Sequence, residues 1–157
     1  MKKLMTIGVA AMGTVLAASA VAQNMPQNRD QAEMAVETRQ AVMHLQGWNM
    51  GPIAAMLKKQ MEFDAEVVET HARRIKNLAM MVEDAFRADT RKFDMETEAL
   101  DTIWDSYDEF ASNAQDLVDA AGALVKAAQS GNEGQTFQAA AAMGKACGAC
   151  HDNFRED

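Results

Sequence analysis

The sequence predicts an all-α protein, folded as an antiparallel four-helix bundle. Three observations support this prediction. The chain has 157 residues with only two prolines and nine glycines, and it is rich in the helix formers Ala, Met, Glu, Gln and Lys. Four segments repeat apolar residues at intervals of three and four, which is the spacing of one helix face. No stretch of useful length alternates apolar and polar residues as a half-buried strand does.

The first two helices are predicted over residues 30–59 and 63–86. Gly51-Pro52 should kink or break the first helix, because Pro52 lacks an amide hydrogen and crowds the preceding turn. The second helix carries His71 on its apolar stripe, where we expect a partly buried, hydrogen-bonded imidazole. The apolar residues expected near one side of the first helix are Met34, Val42, Met43, Met50, Ile53 and Leu57.

The third predicted helix has the most regular pattern, and Gly131 supplies its stop signal. The fourth helix is predicted over residues 135–155. The charged segment 87–100 is the longest one without periodicity, so we expect it to be the crossover loop between the two helix pairs. Residues with alternating spacings of four and three form the seam of the third helix: Ile103, Tyr107, Phe110, Ala114, Leu117, Ala121 and Leu124.

The N-terminus has the three parts of a secretory signal peptide. Lys2 and Lys3 precede the apolar run 4–20, and small residues lead to Ala22, just before Gln23. We therefore expect residues 1–22 to be removed and residues 23–157 to form a single domain in the periplasm. An uncleaved membrane anchor is the alternative, although the run is short for a span.

The mature chain is strongly acidic. Removal of Lys2 and Lys3 leaves 13 basic residues against 23 acidic ones, a net charge of −10. This surface argues against nucleic acid and anionic membranes as partners, and it favours a protein with a basic docking patch. The alternative is that the charge only keeps an exported protein soluble.

The motif Cys147-Gly148-Ala149-Cys150-His151 contains both cysteines of the chain. On a helix, positions three and four apart share one face, so Cys147, Cys150 and His151 should point the same way. This pattern is typical of covalent c-type haem attachment, in which two thiols add to the vinyl groups and the imidazole binds iron. The predicted cofactor is one haem c with its iron.

Other interpretations of the two cysteines are a redox dithiol, a structural disulfide or half of a zinc site. A redox dithiol usually accompanies a βαβ pattern, which is absent from the sequence. A zinc site would need more ligands, and only His44 and His71 remain, on different predicted helices. A disulfide leaves His151 unexplained, and export fits haem attachment, which bacteria complete outside the cytoplasm.

A haem motif at the end of the last of four helices resembles the class II c-type cytochromes, the cytochrome c prime superfamily. The similarity covers nearly the whole mature chain and is strongest over residues 144–155. A second match lies at 38–43 with Asn49-Met50, and a weaker one at 97–100 before Ile103-Trp104. The resemblance implies that Cys147 and Cys150 are the thioether anchors and that His151 is the proximal iron ligand.

The resemblance also implies contacts around the haem edge. Arg39 and Gln40 would lie at the haem propionates, Glu98 would contact the haem before the third helix, and Arg155 would lie beside the proximal face. For these four side chains the alternative is a solvated helix surface. Trp48 and Trp104 are expected to be packing aromatics.

Met43 falls at the position that divides this superfamily, three residues after Gln40. One branch uses a first-helix methionine as the sixth iron ligand, and the other leaves the site open and binds small gases. We expect Met43 to ligate, since a soft thioether favours ferrous iron and suits an electron carrier. The predicted function is periplasmic electron transfer by iron cycling between Fe(III) and Fe(II). The alternative is a five-coordinate protein that binds nitric oxide or other small gases, with Met43 only packing over the iron.

Enzymatic activity is not predicted, because no distal pair of His and Arg has a spacing that would cleave peroxide. Redox proteins are the expected partners. Relatives are often antiparallel homodimers through their first two helices, and the resemblance implies a homodimer as an option here.

Overall fold

Six helices make up the structure, a computed structural model that describes residues 25–156. The predicted signal peptide, residues 1–22, lies outside this range. In chain order the helices are α1 (Arg29–Leu57), α2 (Ala65–Ala79), α3 (Val82–Phe86), α4 (Thr102–Asp105), α5 (Tyr107–Gln129) and α6 (Glu133–Phe154). The all-α prediction is confirmed. Between residues 25 and 156 the only strand-like pairing is an isolated bridge between Ala99 and Arg155.

Four long elements form the bundle: α1, α2 continued by α3, α4 continued by α5, and α6. The helix α2 packs against both α1 and α5, and α5 packs in turn against α6. The first and last helices, α1 and α6, have almost no close backbone contact with each other. The bundle is therefore open along the side where α1 faces α6.

Polar side chains cap the starts of three helices. The Asn28 side chain accepts a hydrogen bond from the Gln31 amide at 2.9 Å, and Asn132 does the same for Gln135. Asp64 caps α2 by accepting from two backbone amides. These caps satisfy donors that have no partner inside the helix.

Two clusters of buried side chains form the core. The α2–α5 cluster fills the middle of the bundle and is built mainly from Ile53, Met56, Val68, Ile75, Leu117, Leu124 and Met143. The α3–α4 cluster lies at the end of the bundle where the two short helices meet the last turn of α6. Its members are Val42, Val82, Phe86, Ile103, Trp104, Phe110, Ala114 and Phe154.

Of the two outcomes predicted at Gly51-Pro52, a break is wrong, because α1 runs without interruption from Arg29 to Leu57, and a kink stays a prediction. Pro52 removes only the one backbone hydrogen bond that its missing N–H would have donated. Ile53 and Met56, immediately after the proline, are almost fully buried in the α2–α5 cluster. Their burial favours continuation of the helix through this turn.

The predicted second helix is divided in two. A turn at Met80 and Met81, both about half exposed, separates α2 from α3. After this turn Val82 and Phe86 enter the α3–α4 cluster. The third predicted helix is also divided, at Ser106, but its seam is confirmed: six of its seven residues are buried and Tyr107 is partly buried.

The segment 87–101 contains no helix, in agreement with its prediction as the crossover loop. Arg91 holds it in place by pairing with the carboxylates of Asp89 and Asp105, at 2.7 and 2.6 Å. The indole N–H of Trp104 donates to the Phe86 carbonyl at 3.0 Å.

Two predicted packing positions on α1 are wrong. Met34 is 65% exposed and Trp48 is 64% exposed. Trp104, by contrast, is 7% exposed and packs as predicted. No helix within residues 25–156 is long and apolar enough to cross a membrane.

Candidate haem site

The last turns of α6 carry the two cysteines, each partly buried and with a free thiol. Cys147 packs against the α2–α5 cluster, and Cys150 packs against the α3–α4 cluster. Burial raises the pKa of the Cys147 thiol. Burial, followed by the neighbouring Cys147, raises the pKa of Cys150 to about 11. Both side chains are therefore neutral thiols near pH 7, oriented towards the interior side of the helix.

Open space adjoins these side chains. Gly144 lies three residues before Cys147, and Gly148 lies three residues before His151. A Cβ atom placed on either glycine would have no neighbouring atom within 4 Å. This open surface belongs to α6, which has almost no close backbone contact with α1. The chain can therefore accept a flat macrocycle beside α6. The residues present therefore fit a covalently attached haem.

His151 is partly buried at the end of this face, and its Nδ1 atom lies 3.2 Å from Nη1 of Arg155. Burial, and then the positive charge of Arg155, lower the pKa of the imidazole, while Asp152 and Glu98 act in the opposite direction. A lowered pKa favours the neutral imidazole, which is the form that ligates metals. The structure thus brings Arg155 and Glu98 close to the predicted proximal ligand.

Met43 lies on α1 and packs, partly buried, against the α3–α4 cluster. The same cluster contacts Cys150 on α6. The Met43 sulfur is 3.9 Å from the amide nitrogen of Gln46, which can only be a weak hydrogen bond. The predicted distal residue and a predicted anchor therefore contact a common group of side chains, and ligation by Met43 stays a prediction.

Arg39 is not on a solvated surface, since it is only 2% exposed. Its Nε donates to the Ala85 carbonyl at 3.2 Å, its Nη1 donates to the Thr90 hydroxyl at 3.0 Å, and its Nη2 donates to the Ala88 carbonyl. The Arg39 side chain thereby connects α1 to the Ala85 carbonyl near the end of α3 and to the Ala88 carbonyl just after it. Contact with a propionate stays a prediction.

The Arg39 guanidinium also lies between two aromatic rings. Its central carbon is 5.3 Å from the ring centre of Phe86 and 4.9 Å from that of Trp104. Burial lowers the pKa of Arg39 to about 10, so the group remains charged near pH 7. No local sequence pattern indicates this network, because two of its acceptors are backbone carbonyls 46 and 49 residues away.

Gln40 and Glu98 are both exposed. The Gln40 side-chain amide donates to the Glu96 carbonyl at 3.4 Å, which connects α1 to the crossover loop. Their predicted haem contacts stay predictions. His44 is exposed, and His71 is partly buried with Nδ1 2.9 Å from the Asn49 side-chain oxygen, as the sequence predicted.

A four-helix bundle whose last helix presents two thiols and a histidine on an open face defines a helical c-type haem protein. The family model described as cytochrome C′ matches residues 34–155. This chain therefore belongs to the cytochrome c′ family, the class II c-type cytochromes. Its cofactor is accordingly haem c, one covalently attached haem with iron.

Individual relatives agree with this assignment. Cytochrome c′ of Halomonas halodenitrificans is 33% identical over 132 residues, which cover 80% of this chain and 98% of the relative. The structure of cytochrome c prime from Shewanella frigidimarina has a TM-score of 0.75 and 35% identity, over 83% of this chain and all of that one.

A third relative bears on the iron site. It is the nitric oxide complex of a mutant cytochrome c prime from Alcaligenes xylosoxidans, with a TM-score of 0.71 and 27% identity. The match covers 80% of this chain and 96% of that one. All three relatives are named cytochrome c′ or cytochrome c prime, and these names do not support the methionine-ligated branch that the sequence predicted.

Proposed function

We propose that this protein is a haem c protein that binds nitric oxide or a related small gas at its iron. The observation that carries the proposal is the α6 face with Cys147, Cys150 and His151 beside the open side of the bundle. Membership of the cytochrome c′ family supports it, as does the relative solved as a nitric oxide complex.

Three of these residues would anchor the haem, and a fourth would line its opposite side. The Cys147 and Cys150 thiols would form thioethers, and His151 would bind the iron on the proximal side. When bound, the haem supplies an iron atom with one position for a small ligand. Met43, packed against the α3–α4 cluster, would line the opposite side and keep bulky ligands and water away.

A visible absorption spectrum of the haem-loaded protein tests this proposal. We expect a high-spin spectrum that changes when nitric oxide or carbon monoxide is added, because an open iron position binds either gas. Mass spectrometry should show one haem attached covalently to the chain. A low-spin spectrum that neither gas alters would contradict the proposal.

Electron transfer with Met43 as the sixth ligand is the second candidate. The contact of Met43 and Cys150 with a common cluster favours it, because a thioether on α1 then lies near the side chains that would anchor the haem. Iron held by His151 and Met43 would cycle between Fe(III) and Fe(II). It would exchange electrons with a redox protein whose basic patch docks on this acidic chain.

Replacement of Met43 by Ala separates the two candidates. If Met43 ligates the iron, the wild type is low-spin and Met43→Ala becomes high-spin, because the sulfur ligand is lost. If Met43 only packs, both spectra are high-spin and differ little. A low-spin spectrum that survives the substitution would exclude Met43 as the ligand.

We further propose export to the periplasm, with cleavage after Ala22, and no enzymatic activity. The mass of the mature protein, purified from the periplasm, tests the cleavage site. An N-terminus other than Gln23 would contradict it.

A second copy of this chain is the partner that we propose for α1. Met34, Ala41, Leu45 and Trp48 form an exposed stripe on this helix, at intervals of seven, four and three residues. Two antiparallel copies of α1 centred on Ala41 would place Met34 of each copy against Trp48 of the other. A symmetric interface of this kind buries the same stripe on both subunits.

A further inference from the structure

The Nδ1 atom of His151 is in contact with a group that can only donate hydrogen bonds. Nδ1 of His151 lies 3.2 Å from Nη1 of Arg155, one helical turn further along the chain. A guanidinium has N–H donors and no acceptor, so Nδ1 accepts in this contact and the ring proton is on Nε2.

Iron ligation reverses this arrangement. The inference rests on the proposed function, in which His151 would bind the iron, and the ring nitrogen that Arg155 leaves free for this is Nε2. A ligating nitrogen presents its lone pair, so the ring proton then resides on Nδ1, which becomes a donor. Arg155 has no acceptor for it. The Nδ1 hydrogen therefore needs a carboxylate, a carbonyl or water.

Two acidic residues lie near His151 along the backbone: Asp152 follows it directly, and Glu98 precedes Ala99, which forms the isolated bridge with Arg155. Asp152 is the next residue on the same helix. Neighbouring residues on a helix point about 100° apart, so Asp152 does not face the imidazole. Glu98 belongs to the crossover loop and approaches His151 from another segment.

Backbone hydrogen bonds fix Glu98 beside the end of α6. Its carbonyl accepts from the Glu156 amide at 2.8 Å, and two residues later the Leu100 amide donates to the Phe154 carbonyl at 3.1 Å. The Glu98 side chain is exposed, and within residues 25–156 its carboxylate has no hydrogen-bond or ion-pair partner. It is therefore available as an acceptor at the predicted proximal ligand.

We propose that Glu98 is a positioning residue for His151. Its carboxylate accepts the Nδ1 hydrogen bond once Nε2 is bound to iron, and the Arg155 guanidinium turns from the imidazole to this carboxylate. A carboxylate acceptor makes the imidazole a stronger electron donor, which stabilises ferric iron and lowers the reduction potential.

Reduction potentials of two matched variants of the haem-loaded protein test this role. Glu98→Gln and Asp152→Asn each remove one negative charge near His151, but only the first removes the proposed charged acceptor. We expect Glu98→Gln to raise the ratio of reduced to oxidised protein about 10-fold at a fixed potential. This change corresponds to about 59 mV for one electron. The shift in Asp152→Asn should be clearly smaller, and equal shifts in the two variants would overturn the proposal.

A second measurement separates hydrogen bonding from general structure. The iron–histidine stretching frequency of the ferrous protein is recorded by resonance Raman spectroscopy, in a Met43→Ala background so that Met43 cannot bind the iron. We expect a lower frequency in Glu98→Gln and no change in Asp152→Asn. An unchanged frequency in Glu98→Gln would overturn the role of Glu98 alone. Absence of covalent haem in the wild type would instead contradict the proposed function itself.

Discussion

Arg39 shows how one charged side chain can be accommodated in an apolar part of the molecule. Its guanidinium donates to two carbonyls and one hydroxyl while it lies between the rings of Phe86 and Trp104. The contact joins α1 to the end of α3 and to the start of the crossover loop. Gln40 follows directly and donates to the same loop, so two predicted haem residues connect α1 to this segment.

Replacement of Arg39 by Met should lower the free energy of unfolding by about 3 kcal/mol, because the acceptors at Ala85, Ala88 and Thr90 lose their donor. Arg39→Lys should recover only part of this loss, since an ammonium group cannot reach three separated acceptors in one plane. Urea unfolding of the three proteins measures both values. A loss in Arg39→Met below about 0.5 kcal/mol would show that the network contributes little.

His71 makes the stability of the bundle depend on pH. Burial, and then the charge of Arg74, lower its pKa in the folded state below the ordinary value of 6.5. Its Nδ1 hydrogen is donated to the Asn49 side-chain oxygen, because the Asn49 amide group itself donates to the Leu45 carbonyl. Protonation therefore adds a second charge beside Arg74 without a new acceptor.

The sign of the effect follows from the lowered pKa. The unfolded chain takes up the proton more readily than the folded one, so stability falls as the pH drops through 6.5 to the folded-state pKa. We expect the thermal midpoint to decrease between pH 7.5 and pH 5. In His71→Gln the decrease should be smaller, because the group that titrates is absent. An identical decrease in both proteins would assign it to other groups.

At the scale of the elements, helices with one regular apolar stripe were predicted well. Helices with apolar or small residues on more than one face were not. The seam over α4 and α5 was predicted correctly, with six of its seven residues buried, because one unbroken spacing of threes and fours leaves a single choice of buried face. On α6, Ala140 and Met143 are buried whereas the neighbouring Ala141 is exposed. Small residues surround these positions, so the sequence alone does not distinguish neighbouring faces of the helix.

The helix α1 was harder to predict for a different reason. It carries two apolar stripes, and only contacts with other helices decide that Val42 and Ile53 are buried while Met34 and Trp48 are exposed. The position of Cys147, Cys150 and His151 on one face follows from spacing alone. The position of Glu98 beside His151 depends on backbone pairing between distant segments, which no local pattern reports.

The interior of α1 offers a prediction for a whole element. Gly47 lies inside the helix at an exposed position, and a Cβ atom placed on it would meet nothing within 4 Å. Gly47→Ala should therefore raise the free energy of unfolding by about 1 kcal/mol, because alanine loses less backbone entropy on folding. Gly131→Ala is the matched control. Its φ of 69° suits glycine, so alanine there should be destabilising. Chemical denaturation of both variants measures the two signs.

At the scale of the whole molecule, the exposed stripe of α1 bears on assembly. Trp48 is 64% exposed and Leu45 is 49% exposed, and the two lie one turn apart. Large apolar side chains that adjoin one another on a surface mark interaction sites more often than isolated ones do. Both lie on the outer side of α1. A partner bound there would leave the side between α1 and α6 uncovered.

Leu45→Glu should convert a dimer into a monomer, because each new carboxylate would lie opposite Glu37 of the other copy in the register centred on Ala41. Ala123→Glu adds the same charge at an exposed position on α5 and should leave the dimer intact. Light scattering after size-exclusion chromatography reports the mass of each protein. A monomeric wild type at micromolar concentration would contradict the proposed dimer.

The sparse contact between α1 and α6 has a consequence for the maturation of the chain. Within residues 25–156 few backbone contacts join these two helices, so the macrocycle would cover this side of the bundle as well as supply the reactive iron. A chain that has not yet acquired its haem would expose this side to proteases. Attachment and survival of the polypeptide are then coupled, and cells that fail at the first step should accumulate little of the protein.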